Sequence, residues 1–169
     1  MFKTRDGEVV RLVDLLDDAI RRAKCVVHEK NPELSDDEQA QIARIVGIGA
    51  VKYADLSSDH IKDYVFDYDR MLAFEGNTAP YLQYAHARCR SILRKAEVEL
   101  PQASAVHIEA PEEKALALAL LSFPSVVAAV EDSLEPHKLC GYLFALATTF
   151  SNFFQSCPVL KAPSPAERD

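Results

Sequence analysis

The chain lacks the short motifs by which most small enzymes hold a nucleotide or a nucleophile. Only five of its 169 residues are glycine, and neither G-x-G-x-x-G nor a P-loop occurs, so no backbone cradle for phosphate is visible. A G-x-S-x-G nucleophile elbow is also missing. Its four cysteines, Cys25, Cys89, Cys140 and Cys157, are scattered, without the paired spacing of a zinc knuckle. Cys25-x-x-His28 is half a site with no second half. The thiols read as free and buried, as in a reducing compartment, and no metal is expected. Histidines at 28, 60, 86, 107 and 137 have no fixed carboxylate or thiol partner in sequence. Asp63, Asp67 and Asp69 cluster with Tyr64 and Tyr68; a solvated acidic face is the plainer reading there, and an acid–base or metal role the sharper one. No catalytic residue is assigned. No apolar run reaches the roughly 18–20 residues of a membrane span. Met1-Phe2-Lys3-Thr4-Arg5-Asp6 has no apolar core of a secretory signal. The expectation is a cytoplasmic protein with no membrane partner.

What is present is the balance of a soluble globular protein, 49% apolar and 27% charged. The length fits one domain, or one domain with an arm, and can bury a core without metals or disulfides. Nineteen basic and 26 acidic residues leave a net charge of −7. That argues against a wholesale electrostatic nucleic-acid binder, and DNA is not an expected partner. A local basic face is still allowed, because phosphates feel charges only within roughly 8–10 Å.

Periodicity predicts helices throughout. Leu12, Leu15, Leu16, Ala19, Ile20, Ala23 and Val27 recur at steps of three and four, and Asn31-Pro32 ends that run. Ser35 followed by Glu38 is a capping-box pattern that opens a second helix toward Tyr53. Gly47 and Gly49 lie inside it, each costing about 1 kcal/mol against alanine; they imply close packing or a break. Tyr64, Phe66 and Tyr68 alternate like a strand with no partner, which predicts an extended segment and no sheet. Gly76-Asn77-Thr78 and Pro80 mark the start of a helix reaching about Glu97. A loop is expected from Leu100 to Pro111, then short helices over 112–122 and 124–134. The last helix starts at Pro136 and stops at Pro158. Its Leu139, Leu143, Leu146, Phe150, Phe153 and Cys157 fall within about 40° of Leu139 on a helical wheel and predict a core-facing stripe. A polar, frayed tail follows from Lys161. The fold class expected is an all-α bundle.

The stretch Asn77 to Ala96 contains no acidic residue and carries Arg88, Arg90, Arg94 and Lys95. With Tyr81 at 0° on a helical wheel, Leu82, Ala85, Cys89, Ile92, Leu93 and Ala96 occupy an arc from about 20° to 120°. Tyr84, Arg88, Ser91 and Lys95 form the neighbouring arc, and Gln83, Arg90 and Arg94 lie on the far side. An aromatic-plus-basic stripe beside a buried one suits RNA, with rings for unpaired bases and cations for phosphates. An amphipathic helix whose arginines pair with acids on neighbouring helices fits the same pattern. Charge and periodicity alone leave both open.

The run from Met71 to Arg88, MLAFEGNTAPYLQYAHAR, resembles the signature block of the C-terminal region of arginyl-tRNA synthetases. Val46-Gly47-Ile48-Gly49-Ala50-Val51-Lys52-Tyr53-Ala54-Asp55-Leu56 is similar too, as are Leu12 to Ala19 and the final helix through Cys157-Pro158-Val159. The resemblance implies a helical bundle of the class I synthetase anticodon-binding type. Residues 1–58 would be a connecting segment from the catalytic domain with the first helices, and 59–169 the anticodon-binding domain without its closing helix. Lys3, Thr4 and Arg5 would be the remnant of the loop that serves ATP. The His-Ile-Gly-His signature is missing, since His60-Ile61 continues as Lys62-Asp63, which implies a catalytically silent piece of a longer ligase. The implied partner is an arginine-accepting tRNA, contacted by Tyr81, Tyr84, Arg88, Ser91 and Lys95, with a monomeric chain. ATP with Mg would serve the parent enzyme, and no cofactor this piece. A non-catalytic helical protein-interaction module is the alternative.

Overall fold

A computed structural model describes residues 11–63, 65–96 and 108–161. The triplet Lys3, Thr4 and Arg5, Tyr64, most of the loop expected from Leu100, and the tail beyond Lys161 lie outside them. Among the described residues every regular element is helical. The chain divides into two compact units between Tyr81 and Leu82.

The first unit is built on α1 (Leu12–Lys30) and α2 (Asp36–Leu56). The capping box is formed in full: Ser35 Oγ accepts from the Glu38 N–H at 3.4 Å, and the Glu38 carboxylate accepts from the Ser35 N–H at 3.0 Å. The Ser35 hydroxyl also donates to the Glu38 carboxylate at 2.7 Å, and this bond first, with the Ser35 N–H second, holds that carboxyl below its ordinary range. Near the loop His28 meets Gln39, at 3.1 Å, while deeper in the pair Ile20 meets Gly47. One number falls as the other rises, so the two helices run antiparallel. Small side chains make the seam: Ala19, Ala23, Ala43 and Ala50 are buried, and Gly47 lets the Ile20 backbone approach. At Gly47 the outcome is close packing and not a break, since α2 runs unbroken from Asp36 to Leu56.

Residues 65–67 form no regular element, with Asp67 extended at φ −142° and ψ 110°, and lead into the single turn α3 (Tyr68–Met71). Asp67 caps that turn by accepting from the N–H groups of Asp69 and Arg70. Met71 and Leu72 complete the core with Ala23, Ala43 and Ala50. The Tyr68 hydroxyl donates to the Leu15 carbonyl at 3.1 Å, and the Arg22 guanidinium lies 4.6 Å from the Tyr68 ring. Asp69 also lies 3.9 Å from Arg22. Two of the three clustered aspartates thus have structural work, as a cap and as an ion-pair partner.

The second unit holds most of α4 (Ala79–Ala96), then α5 (Pro111–Leu121), α6 (Phe123–Ser133) and α7 (Pro136–Ser156), and a 3-10 turn at Val159–Lys161. Glu113 secures the start of α5 by accepting from the N–H groups of Ala110 and Glu109, at 2.9 and 2.8 Å. α7 packs on α5 and α6, with the Tyr142 hydroxyl donating to the Ala119 carbonyl at 2.9 Å. The stripe expected on α7 is only half-buried. The fully buried residues are Cys140 and Ala147, about a quarter turn away from its centre. A helix covered by neighbours on one flank buries deepest the small residues facing them, and the long side chains of the stripe fan out at the edge.

α5 and α6 bury no residue completely, and Leu118, Leu120, Leu121, Phe123 and Val127 are exposed. The stretch 111–133 is long and apolar enough for a membrane span by composition. The turn at Ser122 breaks it into two helices of 11 residues, each about 16 Å long against a hydrocarbon core of about 30 Å. Leu134 closes α6 in the left-handed region, at φ 55° and ψ 35°, where a Cβ costs roughly 1–2 kcal/mol. Its side chain is 80% exposed, so removal forfeits little burial. Leu134→Gly is expected to raise stability by about 0.5–1 kcal/mol after the added unfolded-state entropy. A denaturant midpoint at or below that of the unaltered chain would contradict this.

Candidate functional site

α4 begins at a side-chain cap. Thr78 Oγ1 donates to the Ala73 carbonyl at 2.7 Å and accepts from the Tyr81 N–H at 3.3 Å, satisfying one of the orphan donors of the first turn. Pro80, which has no N–H to satisfy, occupies that turn and is fully buried. Gly76 precedes the cap at φ +80°, a conformation glycine adopts at no steric cost. The Tyr53 hydroxyl donates to Asn77 Oδ1 at 2.6 Å. The start of α4 is therefore fixed from both sides of the cap.

Further along, Tyr84, Ala87, Arg88, Ser91, Ile92 and Lys95 line one side of an open pocket of about 330 Å³, and Phe154 and Leu160 line the other. Four of the five tyrosine, arginine, serine and lysine positions singled out in the sequence thus meet at one pocket. Tyr81 does not line it; it is half-buried one turn upstream. Phe154 and Leu160 are the members that periodicity missed. Phe153 already supplies the α7 stripe, so the adjacent Phe154 is a second aromatic the stripe does not need. That surplus ring was the available signal.

Arg88 is the centre of the arrangement. Its guanidinium lies 4.6 Å from the Tyr84 ring centroid and 4.6 Å from that of Phe154, and it donates to the Tyr84 hydroxyl. Each such contact is worth about 0.5–1 kcal/mol where exposed, and more where water is excluded. Among the described residues Arg88 has no carboxylate partner. Phe150 lies 6.2 Å from Phe154 and supports that ring from behind. The lining offers two aromatic faces, a guanidinium, an ammonium and two hydroxyls, with no carboxylate. Such a set can hold a flat, electron-rich group or an anion.

Burial pushes the thiols of Cys89 and Cys140 up, and burial followed by the nearby Glu113 and Glu112 carboxylates raises that of Cys157. These thiols stay protonated and unreactive near neutral pH. Among the described residues no group of three His, Cys, Asp or Glu side chains is placed to hold a metal ion.

Residues 82–168, which contain this pocket, match the DALR anticodon binding domain family. Residues 1–68 match the catalytic domain of class I tRNA synthetases (R). The chain belongs to the arginyl-tRNA synthetase family. It is 56% identical over 163 residues to the arginine–tRNA ligase of Thermobifida fusca, covering 96% of this chain and 28% of that protein. Against the ligase of Mannheimia succiniciproducens it is 51% identical over 168 residues, covering 98% and 29%. Among solved structures, the arginyl-tRNA synthetase of Thermus thermophilus superposes with a TM-score of 0.83 at 37% identity, over 95% of this chain and 28% of that one. That of Plasmodium falciparum gives 0.80 at 31% identity, over 90% and 28%. The chain therefore spans less than a third of the length of the relatives it matches.

Proposed function

We propose that this chain binds the anticodon arm of an arginine-accepting tRNA through residues 59–169, with Tyr84, Arg88, Ser91 and Lys95 at the contact and Tyr81 at its upstream edge. The longer ligases it resembles would use that grip while joining arginine to the tRNA with ATP and Mg. The observation that carries the reading is the meeting of Tyr84, Arg88, Ser91 and Lys95 with Phe154 around one pocket without a carboxylate. Unpaired bases stack on rings and guanidinium planes, and their phosphates meet cations. Anticodon loops present such bases. Lys3, Thr4 and Arg5 are proposed as the remnant of an ATP-serving loop, and no step of the reading passes through them.

The test is a titration of the 169-residue chain with an arginine-accepting tRNA and a mismatched tRNA at several salt concentrations. Selective binding that weakens with salt is expected. Equal affinity for both tRNAs would overturn the reading. It would favour the rival, a protein-interaction module, for which the exposed apolar side chains of α5 and α6 are the supporting observation. The chain alone is expected not to activate arginine, because its sequence has neither His-Ile-Gly-His nor a phosphate loop. Arginine-dependent pyrophosphate exchange above a buffer control would contradict that.

A further inference from the structure

α4 carries two cations that the pocket does not use. Arg90 and Arg94 are exposed and lie one helical turn apart, and among the described residues neither has a hydrogen-bond or ion-pair partner. Like charges four residues apart destabilise a helix. A chain with 26 acidic residues places none along α4 to relieve them. The helix macrodipole favours cations in the last turn, which accounts for Arg94 and Lys95 but leaves Arg90 unexplained.

The position of these arginines on the helix supplies the missing reason. From Tyr84 and Ser91 at the pocket, the surface passes over Ala87 to Arg94 and then Arg90, an arc of about 120°. Ala87 and Ser91 are small and line the pocket's near side. They leave a low saddle between the rings and the outer arginines, with no acidic residue along it.

We infer that Arg90 and Arg94 form a phosphate-tracking strip, over which the ribose–phosphate backbone runs after leaving the Tyr84–Arg88 pocket. This deepens the tRNA-binding reading and rests on it. The pocket takes a base of the strand, and the strip takes the backbone next to it. Guanidiniums facing phosphates give affinity without sequence preference, whereas contacts to base edges carry the selectivity.

The experiment compares the unaltered chain with the double variants Arg90→Gln/Arg94→Gln and Arg90→Lys/Arg94→Lys, titrated with matched and mismatched tRNA across a salt series. Two lost phosphate contacts should lower the slope of log affinity against log salt by about 1.4. The glutamine variant should weaken matched and mismatched tRNA by the same factor and leave their ratio unchanged. The lysine variant should restore the slope, since phosphate needs the charge and not the planar fork. An unchanged slope in the glutamine variant overturns the strip, as does a loss of selectivity with the slope intact. A lower melting temperature with unaltered binding assigns the arginines to packing and overturns it too. Failure of the unaltered chain to bind tRNA selectively overturns the underlying reading, and the strip falls with it.

Discussion

Gly47→Ala is expected to destabilise the α1–α2 pair by about 2 kcal/mol or more, although alanine is the better helix former. A Cβ at position 47 would lie 2.7 Å from the Ile20 nitrogen and 2.8 Å from both the Ala19 carbonyl carbon and the Ile20 Cα. Real Cβ atoms do not come that close, and the obstacles are backbone atoms, which no rotamer change can move. The helices would have to separate along a seam whose other members, Ala19, Ala23, Ala43 and Ala50, are buried. Overpacking of this kind costs typically 1–3 kcal/mol and sometimes more, against a propensity gain of about 1 kcal/mol. Gly141→Ala is the matched control. It also replaces a mid-helix glycine, but its Cβ would meet nothing within 4 Å, so it should stabilise by about 0.5–1 kcal/mol. Opposite shifts of the denaturant midpoint in the two variants, at constant slope, are the expected result. A Gly47→Ala chain as stable as the unaltered one would show that α1 and α2 are not in the contact described.

The elements legible in the sequence are those set by local chemistry. Ser35 and Glu38 announce the start of α2 because a capping box closes within four residues, and both of its bonds are formed. Thr78 and Pro80 announce α4, and Pro136 and Pro158 bracket α7, because caps and missing N–H groups act on their own turn. The breaks at Ser122 and Leu134 fall within a residue of the expected helix ends for the same reason. Depth of burial was less legible. The wheel locates the apolar stripe of α7 but not the flank from which α5 and α6 cover it, and that flank decides why Cys140 and Ala147 are the buried residues. Two helical glycines signal close approach, yet only the partner backbone shows what Gly47 touches. At the site, the stripe on α4 was readable because its members recur along one helix. Phe154 arrives from α7, 66 positions beyond Arg88, and no local period encodes that meeting. Function rested least on physics: charge and periodicity left RNA binding and ion pairing both open, and the block from Phe74 to Arg88 tipped the balance by resemblance.

Tyr84→Ala and Phe154→Ala are each expected to lower tRNA affinity by roughly 5- to 150-fold, the range for losing one base–aromatic stack of about 1–3 kcal/mol. Tyr84 is 51% exposed, so its removal should leave the melting temperature within a few degrees. Phe154 is half-buried beside Phe150. Phe154→Leu is therefore the better variant there, keeping apolar volume while removing the ring. Arg88 distinguishes the two ways the pocket could work. Arg88→Lys keeps the charge but loses the planar group that lies 4.6 Å from both rings, and lysine neither stacks nor forks in the same way. If Arg88 acts through its plane, Arg88→Lys should lose nearly as much affinity as Arg88→Ala, with the salt slope of the lysine variant unchanged. If it acts only as a charge, Arg88→Lys should bind as well as the unaltered chain. Tyr81→Ala supplies the contrast, because that ring is half-buried but does not line the pocket. Its loss should lower stability more than affinity. The pattern that would remove Tyr84, Arg88 and Phe154 from the site is the reverse one: lower melting temperatures, with the protein that remains folded binding tRNA as tightly as before.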